Sequence, residues 1–311
     1  MISETANAAS RKAILALADS PRLDHLVRRH GMRLGAARFV AGESLDQLVP
    51  VLQRLNGQGL LTNTTLLGEH VHTPDESRAV VDAYREVLDR IAAEKLKTNV
   101  ALKLTHLGLG LDEQLAYGNV SSLVEHASGL GNFVRMDMEE SQWVDATLRI
   151  YRRLREAGHE RVGTVLQSYL LRTEADLQAL LPLRPNLRFV KGAYLEPPEI
   201  AYREKTDVDA AYRRLVEVAL RGGAYAAIAT HDESLIEQCI AFAEREGIDR
   251  DRFELQMLYG VRPGLQLDLA RRGFKVLVAT PYGPEWYPYL MRRLAERPAN
   301  LGFFARNVLR R

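Results

Sequence analysis

The 311-residue chain has 46% hydrophobic residues, 42 basic against 40 acidic residues and one cysteine, Cys239. Near-balanced charge without a basic face argues against a nucleic-acid binder, and a lone cysteine excludes an intrachain disulfide. No apolar run reaches membrane-spanning length and no signal-peptide pattern is present, so a cytoplasmic protein with one large core is expected.

Residues 1–61 read as an N-terminal helical arm. Lys12–Ala18 is one candidate helix. Leu45–Leu55 is a second, with Leu45, Leu48, Val49 and Leu52 at helical spacing and a Ser44/Gln47 capping box. Pro50 predicts a kink there, and Asn56-Gly57-Gln58-Gly59 ends the helix.

From residue 62 onward one pattern recurs. An apolar, β-prone run ends in polar or glycine residues, and a helix-like stretch follows. The runs are Asn63–Leu67, Asn99–Thr105, Asn132–Met138, Val162–Tyr169, Leu187–Tyr194, Ala226–Thr230, Phe253–Leu258 and Lys275–Thr280. The clearest intervening helices are Ser77–Leu96, Trp143–Ala157, Val208–Leu220 and Ser234–Glu244, and Cys239 in the last reads as a core residue. Eight β-then-α units predict an α/β protein of the (β/α)₈ TIM-type barrel class over 62–311. Chemistry in that fold sits at the C-terminal strand ends. Here they hold Glu69, Lys103, Asp137, Gln167, Lys191–Tyr194, Thr230-His231, Gln256 and the turn after Thr280.

Four groups stand out. Tyr289, Arg292, Arg293 and Glu296 share one face of the eighth barrel helix, and two guanidinium forks suit a small carboxylate. The same spacing also fits a solvated face with an Arg–Glu pair. Alternation puts Arg188, Val190 and Gly192 on one face of strand five and Phe189, Lys191 and Ala193 on the other; an inward Arg188 would need an anionic or electron-rich partner, either a ligand or a structural carboxylate. Gly192-Ala193 leaves room for a flat ligand. Lys103 and Asp137 either pair with each other or bracket a ligand; Lys103 alone also fits a Schiff-base lysine. Thr230-His231-Asp232, with Gln167 and Gln256, is a further cluster at strand ends, and a structural histidine is its bland reading.

Gly108-Leu-Gly110 is not a dinucleotide fingerprint, because Glu113 stands where the third glycine belongs. His70 and His72 have no third ligand at a recognisable spacing, so no metal is expected.

Together these segments resemble the proline dehydrogenase family of flavin-dependent barrels. The matching stretches are Ala101-Leu-Lys-Leu, Arg135-Met-Asp-Met-Glu-Glu140, Leu166-Gln-Ser-Tyr-Leu170, Leu187-Arg-Phe-Val-Lys-Gly-Ala-Tyr194, Ala229-Thr-His-Asp232, Phe253-Glu-Leu-Gln256 and Tyr289-Leu-Met-Arg-Arg293. The resemblance implies a monofunctional enzyme that oxidises L-proline to Δ1-pyrroline-5-carboxylate by hydride transfer to FAD and passes electrons to a quinone. A pyrroline-5-carboxylate dehydrogenase would then consume the product.

It also implies roles. Arg292 and Arg293 would hold the proline carboxylate, with Lys103 as a third cationic contact and Tyr289 beside the ring. Asp137 would belong to the catalytic centre and Arg188 would bond the flavin near N5. Met138, Gln167, Lys191, Gly192, Ala193, Thr230, His231 and Gln256 would hold FAD, and Glu69 would act as a gate by pairing with one of the arginines. One position departs from the family pattern. Ala279 stands where members commonly carry a tyrosine two residues before Pro281, so an aromatic wall is missing unless Tyr282 or Tyr287 replaces it.

A quinone acceptor lies in the membrane. The tail Asn300–Arg311 reads as a final helix packed on the barrel, with contact to the inner face of an anionic membrane as the alternative. The competing functions are a folate-binding flavin barrel of the methylenetetrahydrofolate reductase kind, a Schiff-base aldolase and a non-catalytic barrel, because this fold hosts many chemistries.

Overall fold

The computed structural model describes residues 36–296. The expected helix Lys12–Ala18 and the tail Asn300–Arg311 lie outside the described residues. Eight parallel strands, β1 (Leu61–Leu66), β2 (Thr98–Leu102), β3 (Val134–Met136), β4 (Val162–Gln167), β5 (Asn186–Val190), β6 (Tyr225–Ala229), β7 (Phe253–Leu258) and β8 (Val276–Tyr282), close into a barrel in chain order. Helix α1 (Leu45–Gly57) precedes β1. The main helices after successive strands are α2 (Pro74–Ala93), α3 (Glu113–Gly129), α4 (Ser141–Glu156), α5 (Thr173–Leu180), α6 (Lys205–Arg221), α7 (Glu233–Arg245), α8 (Pro263–Arg271) and α9 (Trp286–Glu296). This is the expected (β/α)₈ fold.

The helices begin where side chains can satisfy their open N–H groups. Ser44 Oγ accepts from Gln47 N at the start of α1, while Gln47 Oε1 takes the N–H of Glu43, one residue earlier than a standard capping box. The helix continues through Pro50. Helix α2 starts at Pro74, ahead of the expected Ser77, because proline's missing N–H costs nothing at the first helical position and Thr73 caps it. Each helix then buries one stripe. On α4 that stripe includes Val144, Leu148, Tyr151 and Leu154, and each aliphatic side chain so buried contributes roughly 1.5–3 kcal/mol.

Several expected runs end earlier in the structure than their apolar character suggested. β2 stops at Leu102 and a 3₁₀ turn, Thr105–Leu107, follows; Gly108 closes that turn in the left-handed region at φ 96°. β3 is only three residues long, so Asp137 lies just past it. β5 stops at Val190, so Lys191–Tyr194 belongs to a loop and strand alternation no longer orients it. β8 runs on to Tyr282, through Pro281.

Inside the barrel, register aligns Val165, Arg188 and Ala227 across β4, β5 and β6. Small residues make space for large ones. A Cβ at Gly163 would lie 2.4 Å from Arg135 Nη1, so the glycine is what admits that buried guanidinium. Arg135 donates to the carbonyls of Thr164 and Asn186 and to Asn186 Oδ1.

Candidate active site

Arg188 points inward, and acceptors on β1, on β7 and just past β3 grip it. Its Nε donates to Gln256 Oε1 at 2.6 Å, Nη1 to Asp137 Oδ1 at 2.6 Å and Nη2 to Asn63 Oδ1 at 3.2 Å. A guanidinium bound at every nitrogen has a fixed plane. Asp137 therefore pairs with Arg188, and the expected alternative of a Lys103–Asp137 pair is not formed.

Lys103 turns instead to Glu69. Its Nζ donates to Glu69 Oε1 and lies 3.4 Å from the Tyr194 hydroxyl. Glu69 also accepts from Arg292, from Nη2 at 2.7 Å and Nη1 at 3.4 Å. Burial would raise the Glu69 pKa, but the Lys103 and Arg292 charges and hydrogen bonds outweigh it and hold the carboxyl below its ordinary value. Burial, with the nearby Glu69 and Glu139 charges, pushes the Tyr194 hydroxyl well up, so it stays protonated.

The last helix divides its arginines. Arg292 reaches Glu69, whereas the Arg293 guanidinium stands over the Tyr289 ring, 5.4 Å from its centroid. Tyr289 packs beside a small cluster of Leu67, Trp286, Tyr287, Leu290 and Met291 that seats α9 on the barrel. The side chain of Glu296 lies outside the described residues.

The expected cofactor residues lie around the same mouth. Met138 and Gln167 are buried. Gln167 Nε2 donates to the Glu139 carbonyl, tying β4 to the segment after β3. Lys191 is held between Asp209 and Asp232. Thr230 Oγ1 accepts from Asp232 N. His231 Nε2 accepts the N–H of Leu258, which assigns its ring proton to Nδ1 and joins the ends of β6 and β7. Gly192 has φ 118°, a conformation suited to glycine, and Ala193 is exposed. The side from which a Gly192 Cβ would project is filled by the Tyr169 ring, 2.1 Å from that position, so a protein side chain uses the room expected for a flat ligand.

Tyr282 packs in the main apolar core, and Tyr287 sits edge-on to Trp286 with centroids 6.5 Å apart.

Sequence reasoning passed over four contributors. In the sequence Asn63 reads only as the start of a strand run. Glu254 shares the Gln256 face of β7 at a spacing of two, a signal that alternation could have supplied. Glu139, nearly inaccessible, accepts from Thr105 N and Oγ1 and so holds the turn after Lys103. His106 lies against Gly68, the residue before Glu69; a Cβ there would meet the ring at 2.4 Å. Burial first, then the Lys103 charge, lowers the His106 pKa to about 4, so the ring is neutral at physiological pH.

Chemically, the mouth presents the cations Lys103, Arg188 and Arg292 with the carboxylates Glu69 and Asp137 between them. Such a set suits an anionic or electron-rich ligand. Lys103 is engaged with Glu69, which argues against a Schiff-base role, since an ion-paired ammonium has no lone pair to attack a carbonyl.

The family profile described as proline dehydrogenase matches residues 48–306. The chain is 43% identical over 304 residues to the proline dehydrogenase of Deinococcus radiodurans, covering 96% of this chain and 98% of that protein. It is 40% identical over 294 residues to proline dehydrogenase 2 of Bacillus subtilis strain 168, covering 94% and 97%. Among solved structures, proline utilization A from Bdellovibrio bacteriovorus, inactivated by N-propargylglycine, superposes with a TM-score of 0.80 at 24% identity. That match covers 88% of this chain and 33% of the larger protein, and it bears on the fold alone. On the extent and identity of these matches, the chain belongs to the proline dehydrogenase family of oxidoreductases.

Proposed function

We propose that the protein oxidises L-proline to Δ1-pyrroline-5-carboxylate, using FAD bound in the barrel mouth and passing the electrons to a quinone. The observation that carries this reading is the pairing of an immobilised guanidinium, Arg188, with a bidentate arginine–carboxylate contact, Arg292–Glu69, at one barrel mouth.

The donor set fits a flavin. Arg188 supplies fixed donors beside Asp137, and Gln167, Lys191, Thr230, His231 and Gln256 come from strand ends around the same rim. Met138, Gly192 and Ala193 complete the set assigned to it. When bound, FAD supplies the hydride acceptor.

The chain's own residues bind, orient and set charge. Arg292 offers its fork to the proline carboxylate, which takes the place of Glu69, while Arg293 and Lys103 add positive charge. Tyr289 flanks the ring. The cations disfavour a protonated amine close by, so the substrate nitrogen keeps the lone pair that assists hydride loss. Fixing the substrate carboxylate is the main catalytic gain such a site provides, through orientation. Glu69 acts as the gate, returning to Arg292 and Lys103 when the carboxylate leaves.

No helix among the described residues is long and apolar enough to cross a membrane. We take the enzyme to be cytoplasmic, with electrons reaching a membrane quinone by peripheral contact and the product passing to a pyrroline-5-carboxylate dehydrogenase.

The test is an anaerobic visible spectrum of the purified protein before and after L-proline. Yellow protein that bleaches with proline supports cofactor and substrate together. Yellow protein that proline leaves unchanged sinks the substrate, and protein that takes up no FAD sinks the flavin reading.

A further inference from the structure

A continuous polar chain runs through the barrel interior below Arg188. The Tyr225 hydroxyl donates to Glu254 Oε2 at 3.1 Å, Gln256 Nε2 donates to Glu254 Oε1, and Gln256 Oε1 accepts from Arg188 Nε at 2.6 Å. Glu254 and Gln256 are both buried and sit two residues apart on β7, which puts them on the same inward face.

The chemistry of the chain leaves it one arrangement. Arginine only donates, so the amide oxygen of Gln256 must face it. The amide NH₂ then points away from Arg188 and needs an acceptor in a place where an unsatisfied donor is costly. An ionised carboxylate accepts at both oxygens and fills that need without ambiguity. If Glu254 were an amide or an apolar residue, Gln256 could turn over and set its NH₂ against Arg188 Nε, donor against donor. Glu254 also balances charge, because Arg135 and Arg188 are two buried guanidiniums inside one barrel. Burial and the Glu254 charge push the Tyr225 hydroxyl well up, so it remains the donor at the foot of the chain.

We propose that Glu254 is a positioning residue for Arg188, acting through Gln256, and that it thereby sets how tightly the site holds FAD and how readily the bound flavin accepts electrons. This rests on the flavin reading above.

The experiment uses the full-length protein and measures FAD dissociation by flavin fluorescence, the midpoint potential of the bound flavin, and thermal unfolding. Glu254→Leu removes the acceptor and should weaken FAD binding about tenfold, the scale of a lost hydrogen bond to a charged group. Glu254→Gln keeps the volume but removes the negative charge, so the midpoint potential should rise. In a Gln256→Leu background, Glu254→Gln should cause no further loss of FAD affinity, because the route to Arg188 is already cut. Additive losses in that cycle would overturn the route through Gln256. Should Glu254→Leu fail to fold, Tyr225→Phe should weaken binding in the same direction by less. FAD affinity and potential unchanged in both Glu254→Gln and Tyr225→Phe overturn the inference while leaving the flavin reading intact. Wild-type protein that takes up no FAD overturns both.

Discussion

Arg292 donates both terminal nitrogens to the carboxylate of Glu69, at 2.7 and 3.4 Å, and the same carboxylate takes the ammonium of Lys103. One acidic side chain thus occupies two of the cations assigned to a substrate carboxylate. A ligand that displaces it must match a fork, and only arginine presents one. Arg292→Lys should therefore raise the KM for proline by roughly tenfold or more, with a smaller change in kcat. Steady-state kinetics test this; an unchanged KM removes Arg292 from the clamp.

Asp137 and Arg188 form a mostly buried pair 2.6 Å apart, with side-chain exposures of 22% and 10%. Removing one partner leaves a charge in a poorly solvated place. Asp137→Ala should cost about 2–4 kcal/mol of stability and abolish most proline-dependent flavin reduction. Denaturant unfolding and stopped-flow reduction measure the two effects separately. A stable variant with normal reduction would show that the pair is neither structural nor catalytic.

His106 has a pKa lowered to about 4 against an ordinary 6.5. Between those values the unfolded chain binds more protons than the folded one, so this group's contribution falls as pH drops from 6.5 towards 4. The loss over that window is on the order of 3 kcal/mol. His106→Gln removes the titration and should flatten this part of the stability–pH curve. Parallel curves for wild type and variant would mean that the ring is not held neutral by its surroundings.

Ala279 pairs in register with Asn63, whose side chain meets Arg188 inside the barrel. A side chain at 279 is thus directed to the same interior. Ala279→Tyr should restore an aromatic wall and raise the proline preference over 4-hydroxyproline, in kcat/KM, by up to about tenfold. An unchanged ratio would show that specificity is set elsewhere.

The candidate site was legible where its residues follow a local rule. Alternation puts Arg188 and Phe189 on opposite faces of β5, and the rule holds there because that strand is hydrogen-bonded on both sides. The rule failed at Gly192, two residues past the end of the ladder, where φ is 118° and the chain obeys its loop contacts. Asn63 and Glu254 were passed over for another reason. Each looks like an ordinary strand residue until the barrel closes and brings Arg188 and Gln256 to it.

The order of elements, the apolar cores of the strands and helices, and the residues at the strand ends were all determined by the sequence, because periodicity, caps and breakers act over a few neighbours. β7 coincides with its expected span, Phe253–Leu258, for that reason. Partnership was decided only by tertiary structure. Lys103 had Asp137 or a ligand as candidate partners and meets Glu69 instead, and Arg188 could have met a ligand or a carboxylate. Which contacts formed depended on register and closure, which bring Arg188 to Asn63 across 125 residues of chain and Arg292 to Glu69 across 223. No local pattern carries that information, since the energy that selects each pair exists only once the strands are side by side.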